Sequence, residues 1–199
     1  MNQPNVHIEP IKVPVRANKN FAYDKKTYPI DFCLVKKYST FFYLNRNKFK
    51  SIQNIEIRPL NYEIIDEAVP MFVACCQSQP FDINDSNVFS LYQLSIQYDV
   101  PILNDLTSQY IKKNPKPLVF DSIFFKMQNK KSKDDLDLSV EEEIITSNFF
   151  EFINDKRLFS LPIPVLYHII SNKNLDINSM DSTKQNQIIE FLFKCLDKY

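Results

Sequence analysis

The chain of 199 residues contains no glycine. Glycine takes positive φ at little cost and lets a backbone approach a phosphate closely, so its absence limits both turns and chemistry. Tight turns must use Asn and Asp, which tolerate left-handed geometry best after glycine. Asn45-Arg46-Asn47, Asn84-Asp85-Ser86-Asn87 and Ser171-Asn172-Lys173-Asn174 are such stretches. Glycine-rich phosphate cradles and the glycine-flanked nucleophile elbow are excluded. A hydrolytic triad on another scaffold would need one of the two histidines, His7 or His168. His7 sits among prolines, and His168 lies in the run Leu166, Tyr167, Ile169, Ile170, which predicts a core-facing helix and a structural histidine.

Hydrophobic residues make up 44% and charged residues 24%, as in an ordinary globular chain. Lys plus Arg and Asp plus Glu balance at 24 each, so no net field draws in nucleic acid or an anionic membrane. Cys33, Cys75, Cys76 and Cys195 show no C-x-x-C spacing, and adjacent cysteines on a helix point about 100° apart, so neither disulfide nor metal is expected. No cofactor is called for. The absence of an apolar run of about 18 residues points to the cytoplasm or nucleus.

Residues 1–19, with Pro4, Pro10 and Pro14, read as an extended leader. Phe21-Ala22-Tyr23 and Thr27-Tyr28-Pro29-Ile30 flank a polar turn, as in a hairpin. Cys33 to Phe42 predicts a short helix burying Leu34, Tyr38 and Phe41 or Phe42, and Asn54 to Ile57 a short strand. Ile65, Val69, Phe72 and Cys76 carry helical spacing, with Pro70 tolerable only if the helix starts near Asp66 or Glu67. Leu91, Leu94 and Tyr98 mark the next helix, and Pro101 opens another through Leu103, Leu106 and Tyr110.

Residues 114–138 are expected to be a linker: prolines at one end, Lys130-Lys131-Ser132-Lys133 and three aspartates at the other, the latter read as a solvated loop. Beyond it, Ser139 and Glu142 predict a capping box, and Glu141-Glu142-Glu143 a dipole-complementing helix start. The last helix is expected to start at Ser182 with Gln185 and to bury Ile188, Ile189, Leu192, Phe193 and Leu196. Three consecutive rings, Phe41, Phe42 and Tyr43, cannot all point inward at 100° per residue, which makes them the candidate interface.

The order hairpin, short helix, strand, then three helices, followed by a helical tail, resembles a BTB (POZ) domain joined to a BACK-like region of divergent protist type. Residues 21–30 resemble the opening hairpin, Leu34 to Phe42 the following helix, and Val88 to Tyr110 a helix pair joined at Val100-Pro101-Ile102-Leu103. Gln77-Ser78-Gln79 stands where the family has a Tyr-Thr-Gly-like turn, and Thr40 where it has proline. Phe149 to Pro164 resembles the start of BACK. The resemblance implies an α+β, mostly helical fold: a BTB-like cluster with a short sheet over residues 20–113, then a BACK-like helical segment over 139–199. It implies a protein partner, either a second copy in a homodimer or a cullin, the latter in a ubiquitin ligase adaptor. No repeat that could read a substrate accompanies it. The expectation is therefore a non-enzymatic interaction module. The alternative is a purely structural all-helical scaffold unrelated to BTB, which an ordered hairpin packed on helices would exclude.

Overall fold

The computed structural model describes residues 6–8, 16–58, 64–129 and 136–196. Pro4, Pro10 and Pro14 of the leader and the Lys130–Lys133 run lie outside them. The fold is α+β, with 57% of the described residues helical. It divides into two compact units, Met1–Asn114 and Pro115–Tyr199.

The strands of the first unit are β1 (Val6–Ile8), β2 (Lys19–Tyr23), β3 (Lys26–Ile30), β4 (Asn54–Glu56) and β5 (Phe81–Ile83). β2 and β3 form an antiparallel hairpin with Phe21 opposite Tyr28, and β4 joins the other edge of β2 in parallel, with Ile55 opposite Phe21. The hairpin turns through Asp24 and Lys25, both at positive φ (40° and 64°), the conformation that two-residue hairpin loops require and that glycine usually supplies. Alternation along β2 sends Phe21 inward, where it is fully buried with Ile30 and Ile55. This sheet excludes an all-helical scaffold. β1 pairs antiparallel with β5, and His7 Nδ1 lies 2.6 Å from Asp82 Oδ1 across that pair, so part of the leader is a strand.

The helices among the described residues of this unit are α1 (Phe32–Tyr38), α2 (Thr40–Leu44), α3 (Ala68–Cys76), α4 (Val88–Gln97) and α5 (Pro101–Lys113). The single helix expected from Cys33 to Phe42 is broken at Ser39, whose backbone is extended. The Ser39 hydroxyl accepts from Phe42 N (3.2 Å) and donates to the Tyr98 carbonyl (2.5 Å), which caps α2 and ties it to the end of α4. The break resets the buried stripe to Phe32, Val35 and Phe42, in place of Leu34 and Tyr38. Glu67 is the N-cap of α3, so Pro70 falls in the first turn, where its missing N–H costs nothing. Leu91 and Leu94 of α4, Tyr98 at its C-cap, and Leu103, Thr107 and Tyr110 of α5 face the core, and Pro101 occupies N1. Ser78 (φ 57°) and Asp99 (φ 45°) hold the left-handed positions of two further turns. Buried Gln77 beside the first of these accepts from Asp31 N and donates to the Pro29 carbonyl, anchoring that turn to the hairpin.

The second unit comprises α6 (Val119–Asn129), α7 (Ser139–Ser147), α8 (Phe149–Phe152), α9 (Lys156–Phe159), α10 (Ile163–Ile170) and α11 (Ser182–Leu196), with a 3₁₀ turn at Ile177–Ser179. The stretch expected to be a linker contains α6, whose Val119, Phe120 and Ile123 are buried in one core with Ile145, Phe149, Leu158 and Phe191. The capping box at Ser139 does not form. Leu138 is the N-cap, and the Asp137 carboxylate accepts from Ser139 N (3.0 Å), serving the donor that the box would have served. Glu141 is buried and accepts from Ser122 Oγ (2.6 Å) and Lys126 Nζ (2.7 Å), so it clamps α7 to α6. At α11 the carboxylate of Asp181 accepts from Lys184 N, while Gln185 donates to the Ile177 carbonyl. Ile188 of α11 is buried as expected and so is Phe191, which the expected stripe omitted, whereas Ile189, Phe193 and Leu196, expected inside, are exposed.

Candidate interaction surface

The ring triplet separates by depth. Phe42 is fully buried: its ring stacks on Tyr98 (centroids 5.2 Å, planes 8° apart) and meets Phe21, Phe32, Phe41 and Phe49. It is a core residue and not an interface anchor. Half-buried Phe41 packs edge-on against Phe42 and Tyr98. Only Tyr43 points outward, 53% exposed, with the Arg46 guanidinium 4.9 Å above its ring. The break at Ser39 is the cause, because it rotates Phe42 onto the face set by Phe32 and Val35.

A larger apolar surface lies on the second unit. Ile163, Tyr167 and Ile170 recur along α10 at spacings of four and three, one stripe of a helix. With Leu192, Cys195 and Leu196 of α11 they line a groove of about 410 Å³. Ile189, Phe193 and Leu196 repeat the same spacing along the outer side of α11. Tyr167, Phe193 and Leu196 are 68%, 63% and 71% exposed. Contiguous apolar exposure on this scale marks a contact site more often than an ordinary surface. The signal was present in the sequence as width: Ile188, Ile189, Phe191, Leu192, Phe193 and Leu196 cover more than half the circumference of α11, too much for a helix with one buried stripe.

His168 is exposed on α10, not core-facing as its apolar neighbours suggest, because 100° per residue turns it away from Val165 and Ile169. Its Nδ1 lies 3.8 Å from Glu142 Oε1 in a cavity of about 420 Å³ also lined by Asp137 and Ser139. Burial raises the Glu142 carboxyl above its ordinary value, against the opposing pull of His168. The Ser139 hydroxyl and backbone N–H go to Asp137 and hold that carboxyl below its usual range. The imidazole–carboxylate distance exceeds a hydrogen bond, and among the described residues no hydroxyl or thiol is hydrogen-bonded to the imidazole, so a nucleophile and base are not paired here.

Cys75 and Cys76 are buried in α3, where burial pushes the Cys75 thiol up to about 12 and Cys76 well upward, which makes both poor nucleophiles. Cys33 is exposed. Among the described residues no group of three or more His, Cys, Asp or Glu side chains could hold a metal ion, and no helix is long and apolar enough to cross a membrane. In comparisons with known proteins, no family model and no curated protein matches this chain.

Proposed function

We propose that this chain is a non-enzymatic protein-interaction module of the BTB–BACK kind, with the apolar α10/α11 face as its contact surface. The observation that carries the reading is the exposure of Ile163 and Tyr167 on α10 and of Ile189, Phe193 and Leu196 on α11, left uncovered beside a well-filled core against which Ile170 is half-buried. Outward anchors at spacings of four and three are the pattern by which helices dock on grooves or on one another. The BTB-like part of the reading draws support from the packed hairpin, the short parallel strand and the α4–α5 pair joined at Pro101, which follow the family's order of elements. The partner is a protein, a second copy or a cullin, and the exposed Cys33 thiol suits the reducing cytosol or nucleus.

The test compares the proteins retained from extract by the tagged chain, by the double variant Tyr167→Asp/Phe193→Asp and by Tyr43→Asp. Both altered α10/α11 positions are largely solvent-exposed, so circular dichroism and melting should stay unchanged. Retention should fall about 30-fold or more for the double variant, the equivalent of a hot-spot loss of about 2 kcal/mol, and persist for Tyr43→Asp. Equal retention by the folded double variant would overturn the assignment.

A further inference from the structure

We infer that the α10/α11 face pairs with a second copy of this chain, through antiparallel packing of α11 on α11 about a two-fold axis near Leu192. This rests on the preceding reading and names the partner of that same surface.

A two-fold interface must be complementary to itself: where residue i meets j, j must meet i. On α11 the outward stripe Ile189, Phe193, Leu196 is flanked on one side by Glu190 and Lys194, both exposed. At 100° per residue these two lie on the same flank of the helix. In an antiparallel pair, like flanks face each other across the axis. With the axis at position 192, residues 190 and 194 are equidistant from it, so Glu190 of each copy meets Lys194 of the other, twice. Neither residue has an ion-pair partner among the described residues. The other flank opens toward α10, where Tyr167 stands exposed beside the groove.

The area is consistent with a modest dimer. The aromatic rings carry roughly 150–250 Å² each and Ile and Leu less, so Ile163, Tyr167, Ile189, Phe193 and Leu196 together expose on the order of 500 Å². Two copies would remove at most about 1,000 Å² from water, below the range of stable specific interfaces, which places the dimer among weak, reversible ones. The chain carries no net charge, so no long-range repulsion opposes the approach of two copies.

Sedimentation equilibrium over a wide concentration range tests this. The full chain should pass reversibly from monomer to dimer, and Phe193→Asp should weaken the dimer at least 30-fold with melting unchanged. Glu190→Lys alone and Lys194→Glu alone should each weaken it about tenfold, since each sets like charges against each other. Mixing the two variants should restore association as a heterodimer in which both pairs are complementary again. A chain that stays monomeric throughout overturns the inference, as does a dimer indifferent to Phe193→Asp. Failure of the mixture to rescue overturns the antiparallel register. A monomer that still loses its retained proteins on Tyr167→Asp/Phe193→Asp would sink the second copy as partner and leave the contact surface standing.

Discussion

Phe42→Ala should destabilise the first unit by about 3–5 kcal/mol, the usual cost of deleting a fully buried ring whose cavity cannot collapse. The neighbouring rings set that cost. Phe42 sits at the centre of Phe21, Phe32, Phe41, Phe49 and Tyr98, with centroids 5.1–6.2 Å away. They come from the sheet, from α1 and α2, from the segment after α2 and from the end of α4, so no single element can shift to refill the space. Urea unfolding followed by far-ultraviolet circular dichroism measures it, with Tyr43→Ala as the neighbour expected to change stability by less than about 0.5 kcal/mol. A loss under about 1 kcal/mol at Phe42 would mean that the ring is not the centre of this core.

Phe120→Ala should cost a similar amount, about 3–5 kcal/mol, in the second unit. A residue in a solvated linker would cost almost nothing on truncation. Phe120 is fully buried, meets Phe152 edge-on at 5.3 Å, and has the Arg157 guanidinium 4.9 Å over its ring, so the change opens a cavity and removes a cation–π contact. Thermal unfolding of the full chain should show the loss. An unchanged melting curve would return residues 114–138 to the status of a connector.

The parts of the fold that rest on local chemistry were legible in the sequence. The hairpin followed from two β-prone runs around a polar turn, the start of α3 from where Pro70 can stand, and the start of α5 from Pro101. What escaped depends on partners distant in the chain. The break at Ser39 is held by the carbonyl of Tyr98, 59 residues on, and that one contact decides which ring of the triplet is core. The burial of Glu141 depends on Ser122 and Lys126 of α6, so a local reading could see only a glutamate at a helix start. The α6 stripe itself, Val119, Phe120 and Ile123, lies in a short apolar piece, Leu118 to Met127, whose flanking prolines and charge run resemble the ends of a linker. For the candidate surface, placing Ile188, Ile189, Leu192, Phe193 and Leu196 on one buried face overlooks that a helix offers its core only one stripe, and it omits Phe191, which lies in that stripe.

Hydroxyl-radical footprinting, with the protein free and then bound to the proteins it retains, tests the central claim most directly, because it reads side-chain protection residue by residue. Tyr167 and Phe193 should be strongly oxidised in the free protein at concentrations where it is monomeric and protected on association, with Tyr43 reacting equally in both states. Protection of Tyr43 with Tyr167 and Phe193 unchanged would contradict the account and move the contact surface to the first unit.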